Sequence, residues 1–294
     1  FLQLSAFTIS ALSVLDTLEK YPLEFLEELI PKDINDYLIN INALKGSPRS
    51  GNLAMCMFVI IFYCEKVLGI SDKSMNENWT ELHLNKINKN GFWGPPKNKY
   101  LQFQNGYHQY EIFEFLKIKS DRMSNINEFV KKFTDNNFQF APYSGGSGCY
   151  DYDAIFLLTF FKKNRMDQNL MKILIGNSLT LIDQQNADGG FSESRNVRPR
   201  TIKNLINNFN HVFINDKEIM RDRAKYFLAY LLPRYNKIDT HWTIYSRNWY
   251  ESNLWDTWFR LLTLARTDLF INENNSSRWG FINFPGIGYY AAKN

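Results

Sequence analysis

Gly145–Phe161 reads GGSGCYDYDAIFLLTFF. Its glycines suit a sharp turn. Asp151 and Asp153 stand where a helix would begin, and Ala154–Phe161 is apolar on every side, the pattern of a helix buried all round. Four other segments repeat the sentence, a polar loop followed at once by an apolar, helix-length run. They are Ser47–Glu65 (SPRSGNLAMCMFVIIFYCE), Gln104–Leu116 (QNGYHQYEIFEFL), Ser192–Phe213 (SESRNVRPRTIKNLINNFNHVF) and Ser252–Ala265 (SNLWDTWFRLLTLA). The starts recur roughly every fifty residues, which is the mark of a repeat architecture. If those starts converge, they line one pocket from several directions.

Amphipathic stretches fill the intervals. The pattern places helices over Ser5–Tyr21, Leu23–Leu29, Ile34–Ala43 (behind the capping acid Asp33), Met75–Asn88, Asn125–Thr134, Leu170–Asp183 and Glu218–Leu232. It places wholly apolar helices over Asn52–Leu68, Tyr107–Lys117, Tyr150–Lys162, Thr201–Phe213 and Asn253–Ala265. Only short runs such as Thr240–Tyr245 and Trp279–Phe284 read as extended. Helices buried on both sides need an outer ring to cover them, and amphipathic partners supply it. The expectation is an all-α fold, a single (α/α)6 toroid with glycine-rich loops over 1–294, with a superhelical solenoid as the competing arrangement.

Composition bounds the function. Hydrophobic residues make up 45% of the 294 and charged residues 22%, an ordinary globular balance, while aromatics reach 16%. Such aromatics fill cores and also line pockets for hydrocarbon, cations and sugars. The net charge is +4 with no basic stripe, so a nucleic-acid partner is not expected. Cys56, Cys64 and Cys149 have no framework spacing, which points to a reducing, cytoplasmic setting, with a membrane-peripheral location as the variant. The apolar run Leu53–Cys64 is too short to span a bilayer. The chain opens at Phe1 rather than Met, which fits a trimmed or excised chain and leaves room for a partner domain or subunit.

Two loops carry a resemblance. Leu179–Ser194 reads LTLIDQQNADGGFSES, and Asn253–Ala265 reads NLWDTWFRLLTLA. The pair is similar to the repeats of the squalene/hopene cyclase and protein prenyltransferase superfamily, in which a Gln-x-x-x-Gly-Gly-Trp/Phe turn precedes an inner helix opening in Trp-Asp-Thr. Gly91-Phe-Trp-Gly and Arg278-Trp-Gly-Phe are weaker copies. The resemblance covers Asn90–Phe284 and implies an α/α toroid. It also implies a proton-donating acid in an Asp-x-Asp-Asp motif. Asp151 and Asp153 match the first two acids, and Ala154 replaces the last. The prenyltransferase branch holds zinc with Asp-x-Cys and a distant His. Here Cys149 fits, but Ser147 and Thr257 stand in the other places, so neither a metal nor a cofactor is expected.

Candidate catalytic residues are Asp153 and Asp151, with helix capping as the plain alternative, and the pair His108 and Glu111, three apart on one helix face. Candidate binding residues are Asn52, Arg195, Arg198, Arg247, Tyr250, Trp255 and Asp256. The arginines offer forks for an anion or form a solvated basic loop. Trp255 and Tyr250 read as pocket aromatics, Trp258 as core, and Asp256 as a helix cap. Three functions follow. One is a terpenoid cyclase- or prenyltransferase-like enzyme using acid–base chemistry on an isoprenoid-type small molecule. Another is a hydrolase or lyase on a charged glycan, served equally by paired carboxylates. The third is a non-catalytic binding module.

Overall fold

The computed structural model describes residues 1–47, 49–70, 74–95, 97, 99–161, 167–194, 201–232, 237–239, 244–246, 250–275 and 279. The fold is all-α, apart from one antiparallel ribbon of Lys237–Asp239 (β1) and Ile244–Ser246 (β2). Phe1–Asn127 forms one compact unit and Glu128–Asn275 a second, and each is described by itself.

The first unit contains α1 (Leu2–Val14), α2 (Ile34–Asn40), α3 (Ser50–Tyr63), α4 (Ser74–Lys86) and α5 (Lys99–Phe115). Asp33 caps α2 as expected, accepting from the N–H groups of Asn35 (2.6 Å) and Asp36 (3.1 Å). α3 continues through one π turn, Cys64–Leu68, and ends at Gly69 in the left-handed region. The stretch Ser50–Leu68, longer than the apolar run in the sequence, is long and apolar enough to cross a membrane, yet 67% of it is buried, as in a core helix. α3 and α5 run in the same direction. Gly51 near the start of α3 sits on the backbone of Asn105, and Phe62 meets Phe115 at the far end with ring centroids 4.7 Å apart. Trp79 of α4 closes this core against Phe58 (5.7 Å) and Phe113 (5.2 Å). Each such ring contributes about 1.5–3 kcal/mol by leaving water.

One expectation is corrected here. Gln104-Asn-Gly106 is not a loop, because α5 begins at Lys99 and carries these residues in its middle. Gly106 makes room for the Phe92 ring, which a Cβ would strike, and Asn105 is pinned by accepting from Gly51 N–H (3.0 Å) and donating to Ser47 O (2.9 Å). Glycine and asparagine serve packing rather than a turn.

The second unit contains most of α6 (Ile126–Lys131), then α7 (Gly148–Leu158), α8 (Gln168–Asp183), α9 (Ile202–Val212), α10 (Lys217–Leu231), the ribbon and α11 (Leu254–Ile271). α7 and α11 are also parallel. Gly148 lies against Asp256 and Phe259 near the start of α11, while Arg266 further along donates to the Thr159 hydroxyl just past α7 (2.8 Å). The C-terminal end of α8 reaches the first half of α11, where Gln184 receives Arg260 (3.0 Å).

α9 departs from that pattern. The sequence predicts a buried helix, but Ile202, Leu205, Ile206 and Phe209 are exposed, while Asn204 and Asn208 are buried. The helix is docked through its polar face.

Candidate functional site

In the second unit the candidate acids sit where α7 and α11 begin side by side. The loop before α7 is shaped by Asp135, whose Oδ1 accepts from the N–H groups of Asn137 and Gln139, both at 2.8 Å. Gly145 and Gly146 then turn the chain with φ of 93° and 69°. A Cβ on Gly146 would strike the Gln139 amide and lie 2.7 Å from Asp151 Oδ2, so only glycine lets the turn close over Asp151.

Asp151 is fully buried and accepts from Phe140 N–H at 2.9 Å. Burial pushes its carboxyl up to about 7, against the opposing pull of Arg260 and of that N–H. Arg260, itself buried, donates to Gln184 Oε1 (3.0 Å) and to Glu193 O (3.1 Å), and its guanidinium lies 5.6 Å from the Phe191 ring. Gln184 is paired with Gln139 (3.2 Å). Asp151 thus ties the loop to α7, and Arg260 ties α11 to α8 through Gln184.

Asp153 follows two residues later, about 200° further round the helix. It is buried too, and its neighbours are different. The half-buried Cys149 thiol is pushed well up by burial, then by the nearby carboxylates of Asp153 and Asp256. Ser147 Oγ lies 3.6 Å from Cys149 Sγ. Asp256 answers Asn253 reciprocally: its N–H donates to Asn253 Oδ1 (2.9 Å) and its Oδ2 accepts from Asn253 Nδ2 (2.8 Å). Asn253 thus caps α11, and its side-chain amide holds the Asp256 carboxylate. Beside this cluster, Tyr150 and Tyr226 share a hydroxyl contact at 3.0 Å, with the Tyr143 ring 6.1 Å from that of Tyr150. Burial raises the phenols of Tyr143 and Tyr150 well above their ordinary range.

The rim is aromatic and polar. Tyr250, Trp255 and Trp258 are exposed, so Trp258 is not the core residue that the sequence predicts. Asn186 donates to Tyr250 O (3.0 Å) and to Ser252 Oγ (2.9 Å), and the Ser252 hydroxyl donates to Asp188 (2.7 Å), holding that carboxyl below its usual value.

In the first unit the polar candidates lie between α3 and α5. Cys56 Sγ donates to Asn52 Oδ1 at 3.4 Å. Its thiol is pushed up to about 12, by burial first and by the Glu111 carboxylate second. Glu111 is fully buried, and burial pushes His108 down to about 4. His108 and Glu111 stand in mid-helix, not at a helix start.

The second unit therefore gathers Asp151, Asp153, Asp256, Tyr250 and Trp255 around the starts of α7 and α11. In the first, Asn52 and Glu111 both neighbour Cys56, and His108 stands three residues before Glu111 on α5. Arg195, Arg198 and Arg247 lie outside the described residues. Two further site residues, Arg260 and Gln184, escape the sequence reading. The signal for the former is the lone charge within the stretch Thr257–Ala265 of α11. Among the described residues no group of three or more His, Cys, Asp or Glu side chains could hold a metal ion. With Ser147 and Thr257 in the other two places, the donors beside Cys149 do not fit a zinc site. No protein-family model, curated protein or solved structure matches this chain.

Proposed function

We propose that the chain is an α/α-toroid enzyme of the terpenoid cyclase and prenyltransferase type, using acid–base chemistry on an isoprenoid-type substrate. The observation that carries this reading is the meeting of Asp153, Cys149 and Asp256 at the adjoining starts of two parallel buried helices, α7 and α11. The repeat resemblance assigns catalytic groups to those starts. In this reading Asp153 is the general acid and Asp151 a positioning residue, because its Oδ1 is committed to the Phe140 N–H. Ala154 stands where a further acid would sharpen the proton donor. Asp153 is thus suited to an activated allylic group rather than to an isolated alkene. The buried tyrosine rings nearby present π faces to a developing cation.

A second reading is favoured by the rim. Exposed Tyr250, Trp255 and Trp258 beside Asn186, Asp188 and Ser252 combine flat rings with hydrogen-bonding groups, as a sugar would require. The same Asp153 would then protonate a glycosidic oxygen.

The test is turnover of prenyl diphosphates and of uronic-acid oligosaccharides by wild type and Asp153→Asn. On the true substrate the variant loses at least ~100-fold, as expected for a general acid, with an unchanged circular dichroism spectrum. Activity of Asp153→Asn within a few-fold of wild type would leave Asp153 a structural residue. Binding of either ligand without turnover would favour a binding module.

A further inference from the structure

α9 is docked the wrong way round for a core helix, and specific bonds keep it so. Ile202, Leu205, Ile206 and Phe209 follow the i, i+3, i+4, i+7 spacing, and Phe213 extends the stripe. All are exposed, Ile202 by 80% and Phe209 by 50%. On the opposite face, Asn208 Oδ1 accepts from Ser144 N–H (3.2 Å), and Asn208 Nδ2 donates to Asn204 O (2.8 Å). His211 Nε2–H donates to Ala141 O (3.0 Å), and its Nδ1 stands 3.5 Å from Asp135 Oδ2. Arg223 of α10 locks the helix end by donating to His211 O (3.0 Å) and Phe133 O (2.8 Å). Rolling α9 to bury its apolar stripe would break the bonds of Asn208 to Ser144 and of His211 to Ala141 and Arg223.

α10 packs alongside, with Phe227 5.7 Å from Phe209, and its last turns add exposed Leu228, Leu231 and Leu232. Exposed apolar side chains gathered on two packed helices mark an interaction site. Its charge selects the partner. The exposed charged side chains on α9 and α10 are cations, Lys203, Lys217, Arg221 and Lys225, while the acid Glu218 is half-buried. The acid Asp222 is buried and lies 3.5 Å from Lys225. A second copy of this chain would meet the patch with the same cations. An anionic surface would complement them, and a bilayer needs no matching groove to receive a convex helix.

We infer that α9 and the end of α10 form an in-plane docking surface for an anionic lipid bilayer, with the apolar stripe among the acyl chains and the lysines and Arg221 at the headgroups. This holds whichever substrate the site takes.

The experiment is flotation of the full chain with phosphatidylcholine vesicles, with and without phosphatidylserine. Wild type floats with the serine-containing vesicles and is released by salt. Ile206→Glu combined with Phe209→Glu reduces flotation at least ~10-fold with an unchanged circular dichroism spectrum, since both side chains are already exposed. Lys217→Glu and Lys225→Glu each weaken binding about fivefold, only where phosphatidylserine is present. No flotation with either vesicle overturns the proposal. So does a wild-type dimer in solution that the Ile206/Phe209 variant converts to monomer without any vesicle binding, because the face would then belong to a second copy.

Discussion

Asp151 is a carboxyl group sealed from water, and its titration is the sharpest handle on the second unit. Its folded pKa of about 7 lies above the ordinary 3.8. The folded state therefore holds a proton that the unfolded chain has already released across that window. The sign follows from linkage: this contribution is fully present below the unfolded value and is lost as pH rises through about 7. Asp151→Asn keeps an oxygen for the Phe140 N–H and removes the titration. Relative to wild type, the variant should gain on the order of a few kcal/mol in stability as pH is raised from acid to neutral. Urea titrations of both proteins across that range measure the difference, and parallel pH profiles would refute the assignment. Both acids of Asp151-Tyr-Asp153 are legible in the sequence as a pair at a helix start. Their separate tasks are not, because two residues turn a helix through about 200°. The partners that divide them, Phe140 N–H and Arg260 for one and Cys149 for the other, come from segments that only the fold brings close.

At the scale of elements, helix positions follow from caps and periodicity, and errors arise where a residue serves packing instead. α8 lies where the periodicity puts it, between the cap Asp167 and Gln184. α5 was obscured because a glycine and an asparagine in mid-helix read as a turn, although Gly106 yields to the Phe92 ring. The sequence places α9 but reads it as apolar all round, whereas Asn204 and Asn208 form its buried face. Periodicity defines two faces, however, and does not say which one points inward. Here Asn204, Asn208 and His211 decide that through their hydrogen bonds. The parallel pairing of α3 with α5 depends on Gly51, where an added Cβ would lie 2.6 Å from the Asn105 Cα, and backbone cannot move aside as a side chain can. Gly51→Ala should cost about 3 kcal/mol or more, in the upper range for overpacking. Gly69→Ala has no neighbour within 4 Å and should cost only about 1–2 kcal/mol, for its left-handed φ of 67°. Denaturant midpoints rank the two, and a Gly51→Ala protein as stable as Gly69→Ala would mean that the helices can separate without loss.

For the whole molecule, the histidines set the response to acid. The chain has four, and three of them, His83, His108 and His211, are among the described residues with burial pushing them down to about 3, 4 and 3. His83 shows the cause directly. Its Nδ1–H donates to Trp79 O (2.8 Å) and its ring stacks 3.7 Å from that of Trp79, which leaves no water to solvate a charge. Unfolding frees all three to titrate near 6.5, so between that value and about 4 the unfolded chain binds up to three extra protons. Asp151 and Asp135, both raised by burial, act in the opposite sense and offset one to two of them. The net uptake near pH 5 is then about one to two protons, or roughly 1.5–3 kcal/mol of stability lost per pH unit. Over two units this approaches the 5–15 kcal/mol that a typical domain has in total. Wild type should therefore lose stability on mild acidification, and Asp151→Asn should lose it more steeply because it lacks one of the offsetting groups. Equilibrium unfolding at pH steps between 7 and 4.5 tests both statements. A stability that stays level or rises on acidification would mean that these histidines are solvated in the folded protein.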